Sequence, residues 1–179
     1  MHKHTSWVVV VILIAVFDFP CLAENSTYRW TPLQLSVWPE APDIQLFPHD
    51  WNVYGVGVGF AMLNRGVYGI QLCGACGAGP MQGIQFGIVS GAGDMRGIQI
   101  GGLMNDTEHI TGVQVGAFQY SETMQGLQVG LLNVCTKTMV GVQIGMINYA
   151  KNAVGVQIGL GNVIEHSPVQ RLPLINIHF

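Results

Sequence analysis

The stretch Gly126-Leu127-Gln128-Val129-Gly130-Leu131-Leu132-Asn133 recurs along most of this chain. Close copies begin at Gly141 and Gly155, and looser copies extend back to Gly55. Each copy opens with a glycine, and the eight leading glycines are Gly55, Gly69, Gly83, Gly97, Gly112, Gly126, Gly141 and Gly155. Successive leading glycines lie 14, 14, 14, 15, 14, 15 and 14 residues apart. A period this regular indicates a fold built by repetition of one structural unit.

Within each repeat, polar and apolar residues alternate, which predicts a β-strand. If the leading glycine is position 0, positions 1 and 3 are apolar in every copy, and position 2 is glutamine in all copies but the first, which has Gly57. The repeat glutamines are Gln71, Gln85, Gln99, Gln114, Gln128, Gln143 and Gln157. Because successive side chains of a strand point to opposite faces, we expect one face of glutamine and one of Val, Ile and Leu.

The main expectation for the fold is all-β: a closed antiparallel up-and-down β-barrel. Eight repeats fill residues 52–167, and one flanking strand on each side brings the total to ten, an even number as in bacterial outer-membrane barrels. The apolar character of a repeat extends over about eleven residues, which matches the length that crosses a bilayer. In this barrel the glutamines face the lumen and the apolar face meets lipid.

A parallel β-solenoid is the alternative fold. Near-identical repeats favour it, because coils stacked about 4.8 Å apart are equivalent by translation. In a solenoid we expect Val, Ile and Leu to fill the core, while Gln and Asn form ladders on the outside.

The N-terminal residues 1–23 are predicted to be a signal peptide. Lys3 supplies a positive charge, residues 7–17 form an apolar run, and Cys21-Leu22-Ala23 offers small residues for cleavage. The run is short for a membrane-spanning helix, and the Asp18-Phe19-Pro20 sequence argues against lipid attachment at Cys21. Residues 24–51 are a Pro-rich lead-in with one strand near residues 31–38, and residues 168–179 form a last strand that ends in Phe179.

Composition separates this chain from ordinary soluble domains. Only 9% of its residues are charged, compared with about 25% in a typical globular domain. The net charge is −3 and the sequence contains no cluster of Lys and Arg, so no nucleic-acid partner is expected.

The repeat, with its Gly-(Val/Ile/Leu)-Gln-(Val/Ile/Leu)-Gly-x-x-Asn pattern, resembles the surface repeat-containing proteins of spirochaetes and other bacteria with two membranes. The lead-in around Pro32-Leu33-Gln34-Leu35-Ser36 and the ending Ile175-Asn176-Ile177-His178-Phe179 add to the likeness. The resemblance implies export and a location in the outer membrane or at the cell surface. It implies no defined reaction and no catalytic residues.

Few residues suggest chemistry. Cys73 and Cys76 are open to three interpretations, namely small-residue packing, a disulfide if the chain turns between them, or a metal site that lacks a second cysteine pair. The repeated Glu-His pairs that contain His109 and His166 are interpreted as solvated turn residues, with a weak metal or pH-sensitive site as the alternative. No catalytic, cofactor-binding or metal residues are therefore predicted.

These observations predict a non-enzymatic, exported cell-envelope or surface repeat protein with a structural or adhesive role. The alternative is a small outer-membrane pore with a Gln-lined lumen. If the fold is a barrel, Phe179 is the expected terminal assembly signal, and the outer membrane with its barrel-assembly machinery is the expected partner. The sequence does not identify a surface ligand.

Overall fold

The computed structural model describes residues 29–36 and 51–179. These residues form strands of one sheet in the order β1 to β6. The strands are β1 (Trp30–Ser36), β2 (Asn52–Asn64), β3 (Gly66–Val129), β4 (Leu132–Ile144), β5 (Ile147–Ile164) and β6 (Arg171–His178). The signal peptide expected in residues 1–23, including Cys21, and much of the lead-in lie outside the described residues.

The expected antiparallel barrel is wrong, and the alternative parallel β-solenoid is the fold. Strands β1 to β5 pair in parallel, and equivalent residues of successive repeats lie side by side. Gly55 pairs with Gly69, and Gly141 pairs with Gly155. Each repeat is therefore one coil, stacked on the coil before it. Neighbouring strands of an up-and-down barrel would run in opposite directions.

The leading glycines hold this stack at close spacing. All eight have φ between +133° and +147°, a backbone conformation that L-residues with a side chain rarely adopt. In addition, a Cβ at Gly126 would overlap the carbonyl oxygen of Gly112, one coil earlier. Both constraints recur from coil to coil, which explains why glycine occupies this position in every repeat.

Four positions of each coil point inward. Two of them, the glutamine at position 2 and the residue two before each leading glycine, lie on either side of that glycine. The second of these columns contains Val53, Val67, Met81, Met95, Ile110, Met124, Met139 and Ala153, all buried. The other two inward columns, at positions 7 and 9 of most coils, include Asn133 with Cys135 and Asn148 with Ala150. The interior is thus partly apolar and partly amide.

The two ends of the solenoid are built differently. At the N-terminal end, β1 continues the repeat, because Leu33 pairs with Val56 and Gln34 with Gly57. At the C-terminal end, β6 runs antiparallel to β5 and covers the last coil. The expected final strand therefore exists, but it pairs with β5 and not with the first strand as a barrel requires. Phe179 follows β6 and is 88% exposed.

Replacing a leading glycine by alanine tests the stacking constraint. We expect Gly126→Ala to lower the free energy of unfolding by about 3 kcal/mol, because a side chain there combines strain at positive φ with overlap against Gly112. Gly161→Ala is the matched control, since a Cβ at Gly161 meets no atom within 4 Å. Urea unfolding followed by circular dichroism measures both, and equal losses would contradict the constraint.

Candidate functional site

The repeat glutamines form a continuous hydrogen-bonded ladder inside the solenoid. All seven are fully buried. From Gln85 to Gln157, each side chain donates through Nε2 to the Oε1 of the glutamine one coil earlier, at 2.7–2.9 Å. Each carboxamide between the two ends of this row thus both donates and accepts along the solenoid axis.

The expected two-faced strand is confirmed, but the expectation of outward Gln ladders in a solenoid is wrong. The glutamines point inward and the Val, Ile and Leu residues point outward. The interior is narrow, because Gln143 reaches the carbonyl oxygen of Tyr149 across the coil at 3.4 Å and Gln157 reaches that of Val163 at 3.2 Å. A carboxamide stacked on identical carboxamides satisfies its own donor and acceptor, so the usual cost of burying a polar group is avoided.

The first coil shows how the ladder tolerates a missing glutamine. Position 2 is Gly57 there, and a Cβ at that position would lie 2.9 Å from the Met62 side chain. Met62 thus fills the space that a glutamine would occupy. Asn64 bridges the gap in hydrogen bonding, since it donates to Gln34 and accepts from Gln71 at 3.0 Å. In the sequence, this arrangement is indicated by the presence of both Gly57 and Asn64 in the same repeat.

A second row of amides lies at the bend that follows position 4. Asn133 donates to Asn148 at 2.7 Å, and Asn148 donates to Asn162 at 2.8 Å. Asn133 and Asn148 also donate at 2.9 Å to the position-3 carbonyl of the next coil, at Ile144 and Ile158 respectively. The repeat asparagine therefore closes the bend.

Cys73 and Cys76 form a disulfide at the same bend of an earlier coil, with their Cα atoms 5.5 Å apart. They replace the position-4 glycine and the inward polar residue of other repeats, and the bend brings them within bonding distance. Of the three interpretations that the sequence left open, the structure has the disulfide. Cys135 is free and buried, and burial raises the pKa of its thiol.

Positions 1 and 3 of the coils form an exposed surface that we call the apolar face. Its residues are Leu33, Leu35, Val56, Val58, Ile70, Leu72, Ile84, Phe86, Ile98, Ile100, Val113, Val115, Leu127, Val129, Val142, Ile144, Val156 and Ile158. Many of these side chains are 37–52% exposed. The face follows the whole stack, and large continuous apolar surfaces of this kind mark interaction sites.

A groove borders the apolar face in the last coils. It has a volume of about 600 Å³ and is lined by residues of three coils and by Leu174 and Ile175 of β6. Its lining includes Gly130, Gly145 and Gly159. The wall of the groove farther from the apolar face contains Met146 and Leu160. The lining is almost entirely apolar, so the groove extends the apolar face around the bend.

The charged residues lie away from positions 1 and 3. Lys137 forms an ion pair with Glu122. Tyr149 donates to Glu165 at 2.6 Å, which raises the pKa of Tyr149 to about 12 and lowers that of Glu165. Burial, followed by the nearby Glu108 carboxylate, raises the pKa of Asp106. One edge of each coil is therefore polar, and the solenoid is amphipathic.

The two Glu-His pairs are not brought together. His109 Nδ1 lies 2.7 Å from Thr123 Oγ1, and His166 Nδ1 lies 2.8 Å from Asn152 Oδ1. The pairs belong to coils four steps apart, or about 19 Å along the stack. Among the described residues, no group of three or more His, Cys, Asp or Glu side chains is arranged to hold a metal ion.

Comparison with known proteins identifies no relative. No family model matches the chain, and neither a curated protein nor a solved structure matches it. The likeness to surface repeat-containing proteins therefore rests on sequence motifs alone. Within residues 29–36 and 51–179, no helix is both long and apolar enough to span a membrane.

The inward position of the glutamines predicts which substitutions are severe. Gln143→Glu should cost on the order of 3 kcal/mol or more at neutral pH, because a buried carboxylate is desolvated and cannot donate to Gln128. Ile144→Asp should cost less, since Ile144 is 38% exposed. Urea unfolding of both variants measures the ranking, and a more severe effect at Ile144 would contradict the inward ladder.

The Gln143→Glu variant should also recover at low pH. Burial raises the pKa of the new carboxyl in the folded state above its unfolded value of about 4.3. The variant is therefore most stable below about pH 4.3, and it loses stability as the pH rises from there through the raised folded-state pKa. Once protonated, the carboxyl can donate to Gln128 and accept from Gln157. A deficit that is independent of pH would contradict this explanation.

Proposed function

We propose that this protein is a non-enzymatic, exported repeat protein of the bacterial cell surface, and that its apolar face is an adhesive surface. The observation that supports this function is the continuity of that face over β1 and all eight coils. Positions 1 and 3 are apolar without exception in this stack. A face that remains apolar through every repeat is suited to contact with an extended apolar surface.

The interior of the solenoid supports a structural and not a catalytic role. The amides of the ladder are bonded to one another, so they are not available to a substrate. The buried Cys135 thiol has a raised pKa, which disfavours the reactive thiolate. An interior of mutually bonded glutamine amides beneath one uniform outer face is the property of a scaffold.

Adhesion of whole cells tests the proposal. Cells of a two-membrane bacterium that express the full chain should adhere to alkyl-coated glass, and cells that express the Val142→Lys/Ile144→Lys variant should adhere about tenfold less, because two ammonium groups interrupt the face. Val169→Lys/Gln170→Lys is the matched control, since both residues are exposed in the connection between β5 and β6.

Antibody labelling of intact cells must first show equal surface display of the three proteins. Absence of labelling on intact cells would contradict the surface location. Equal adhesion by all three strains, at equal display, would contradict the adhesive role of the apolar face.

The second candidate function is a small outer-membrane pore with a Gln-lined lumen. The observation that favours it is the inward orientation of all seven glutamines together with an apolar exterior, the polarity of a lipid-embedded β-structure. Conduction would require water to pass amides that are bonded at 2.7–2.9 Å. Steady conductance of the purified protein in a planar bilayer, reduced when Gln128 is replaced by leucine, would favour the pore over the adhesive surface.

A further inference from the structure

We propose that the apolar face binds a second copy of this chain, face to face. This inference names a partner for the apolar face and so rests on the proposed function. Two β-sheets pack with their mean planes about 10 Å apart when apolar side chains interdigitate between them. The apolar face presents such a surface to solvent, since most of its side chains are exposed and the rest are half-buried.

The size of the face reaches that of a small specific interface. It extends over β1 and the eight stacked coils, or about 38 Å at about 4.8 Å per coil. From the residue before each leading glycine to position 3, which lies before the bend, it is about 13 Å wide at about 3.3 Å per residue. The resulting footprint is roughly 500 Å² per partner, or about 1,000 Å² in total, which is the size that a specific protein–protein interface should reach.

The spacing of the face favours a second copy over an unrelated protein. Side-chain rows on the face repeat once per coil, so a facing copy has rows of the same spacing and can interdigitate along the whole length. The groove next to the face, whose lining includes Ile144, Gly145 and Met146, provides room for a facing row. Shared periodicity makes the face complementary to itself, as a two-fold dimer requires.

Charge also favours a second copy over a lipid surface. Positions 1 and 3 carry no charge in any coil, and the row before the leading glycines contains one charged residue, Arg96, which is exposed at the border of the face. Two such faces can therefore meet without desolvating an ion at their centre. Surfaces that lie on bilayers are commonly bordered by Lys and Arg. In the described part of the chain, basic residues do not form such a border, and Lys137 is paired with Glu122.

Sedimentation velocity of the processed protein, residues 24–179, tests the inference. We expect a dimer at micromolar concentration that dissociates at least about 100-fold more readily in the Val113→Lys/Leu127→Lys variant, because unpaired ammonium groups would be buried in the interface. Val169→Lys/Gln170→Lys should dimerise as the wild type does. Circular dichroism of each variant shows whether the solenoid is intact.

A wild-type protein that is folded and monomeric throughout the concentration range would overturn the inference. So would a monomer that floats with phosphatidylcholine vesicles, because lipid would then be the occupant of the face. Unchanged dimerisation of Val113→Lys/Leu127→Lys with its fold intact would move the interface elsewhere and also overturn it. A monomer that still supports cell adhesion leaves the proposed function in place, whereas a dimer without cell adhesion defeats the proposed function alone.

Discussion

The structure depends on one interaction, the hydrogen bond between the carboxamides of glutamines in successive coils. Each interior glutamine has a donor and an acceptor at the separation of adjacent strands, so an identical residue one coil away is its natural partner. The same translation also brings together the leading glycines, whose close approach keeps the coils at strand spacing. Burying a single glutamine without partners would cost free energy, whereas in a row each glutamine supplies the hydrogen-bond partner that its neighbour needs. The repeat sequence is the consequence of this mutual requirement.

Much of the fold could be predicted from the sequence, because it follows from local periodicity. The number of repeats, the strand at each repeat and the separation of Gln from Val, Ile and Leu all depend on spacing alone. The direction in which the two faces point could not be predicted in this way. Alternation at residues such as Val142, Gln143 and Ile144 defines two faces, and the usual preference for apolar residues inside suggests the opposite assignment for a solenoid.

Features that depend on contacts between coils could also not be predicted in detail from the sequence. The disulfide between Cys73 and Cys76 requires a bend whose geometry is set by neighbouring coils. The compensation of Gly57 by Met62 and Asn64 involves side chains that meet across the interior. The column from Val53 to Ala153 lies two residues before the leading glycines, where the residue type varies between valine, methionine, isoleucine and alanine. In that column, volume matters more than chemical identity, so the repeat pattern does not reveal it.

The two rows of amides give the solenoid an internal direction. In the glutamine row every N–H points toward the preceding coil, whereas in the Asn133-Asn148-Asn162 row it points toward the following coil. The rows therefore end in lone acceptors at opposite ends, Gln157 Oε1 and Asn133 Oδ1, neither of which has a hydrogen-bond partner. The aligned amide dipoles of the two rows oppose each other in the later coils. A further bond in the direction of the second row occurs earlier, because Asn105 donates to Gln119 at 2.7 Å. In the described coils before Gly97 the glutamine dipoles have no such counterpart, so that end of the stack is electrically polarised along its axis, whereas the later coils are more nearly balanced.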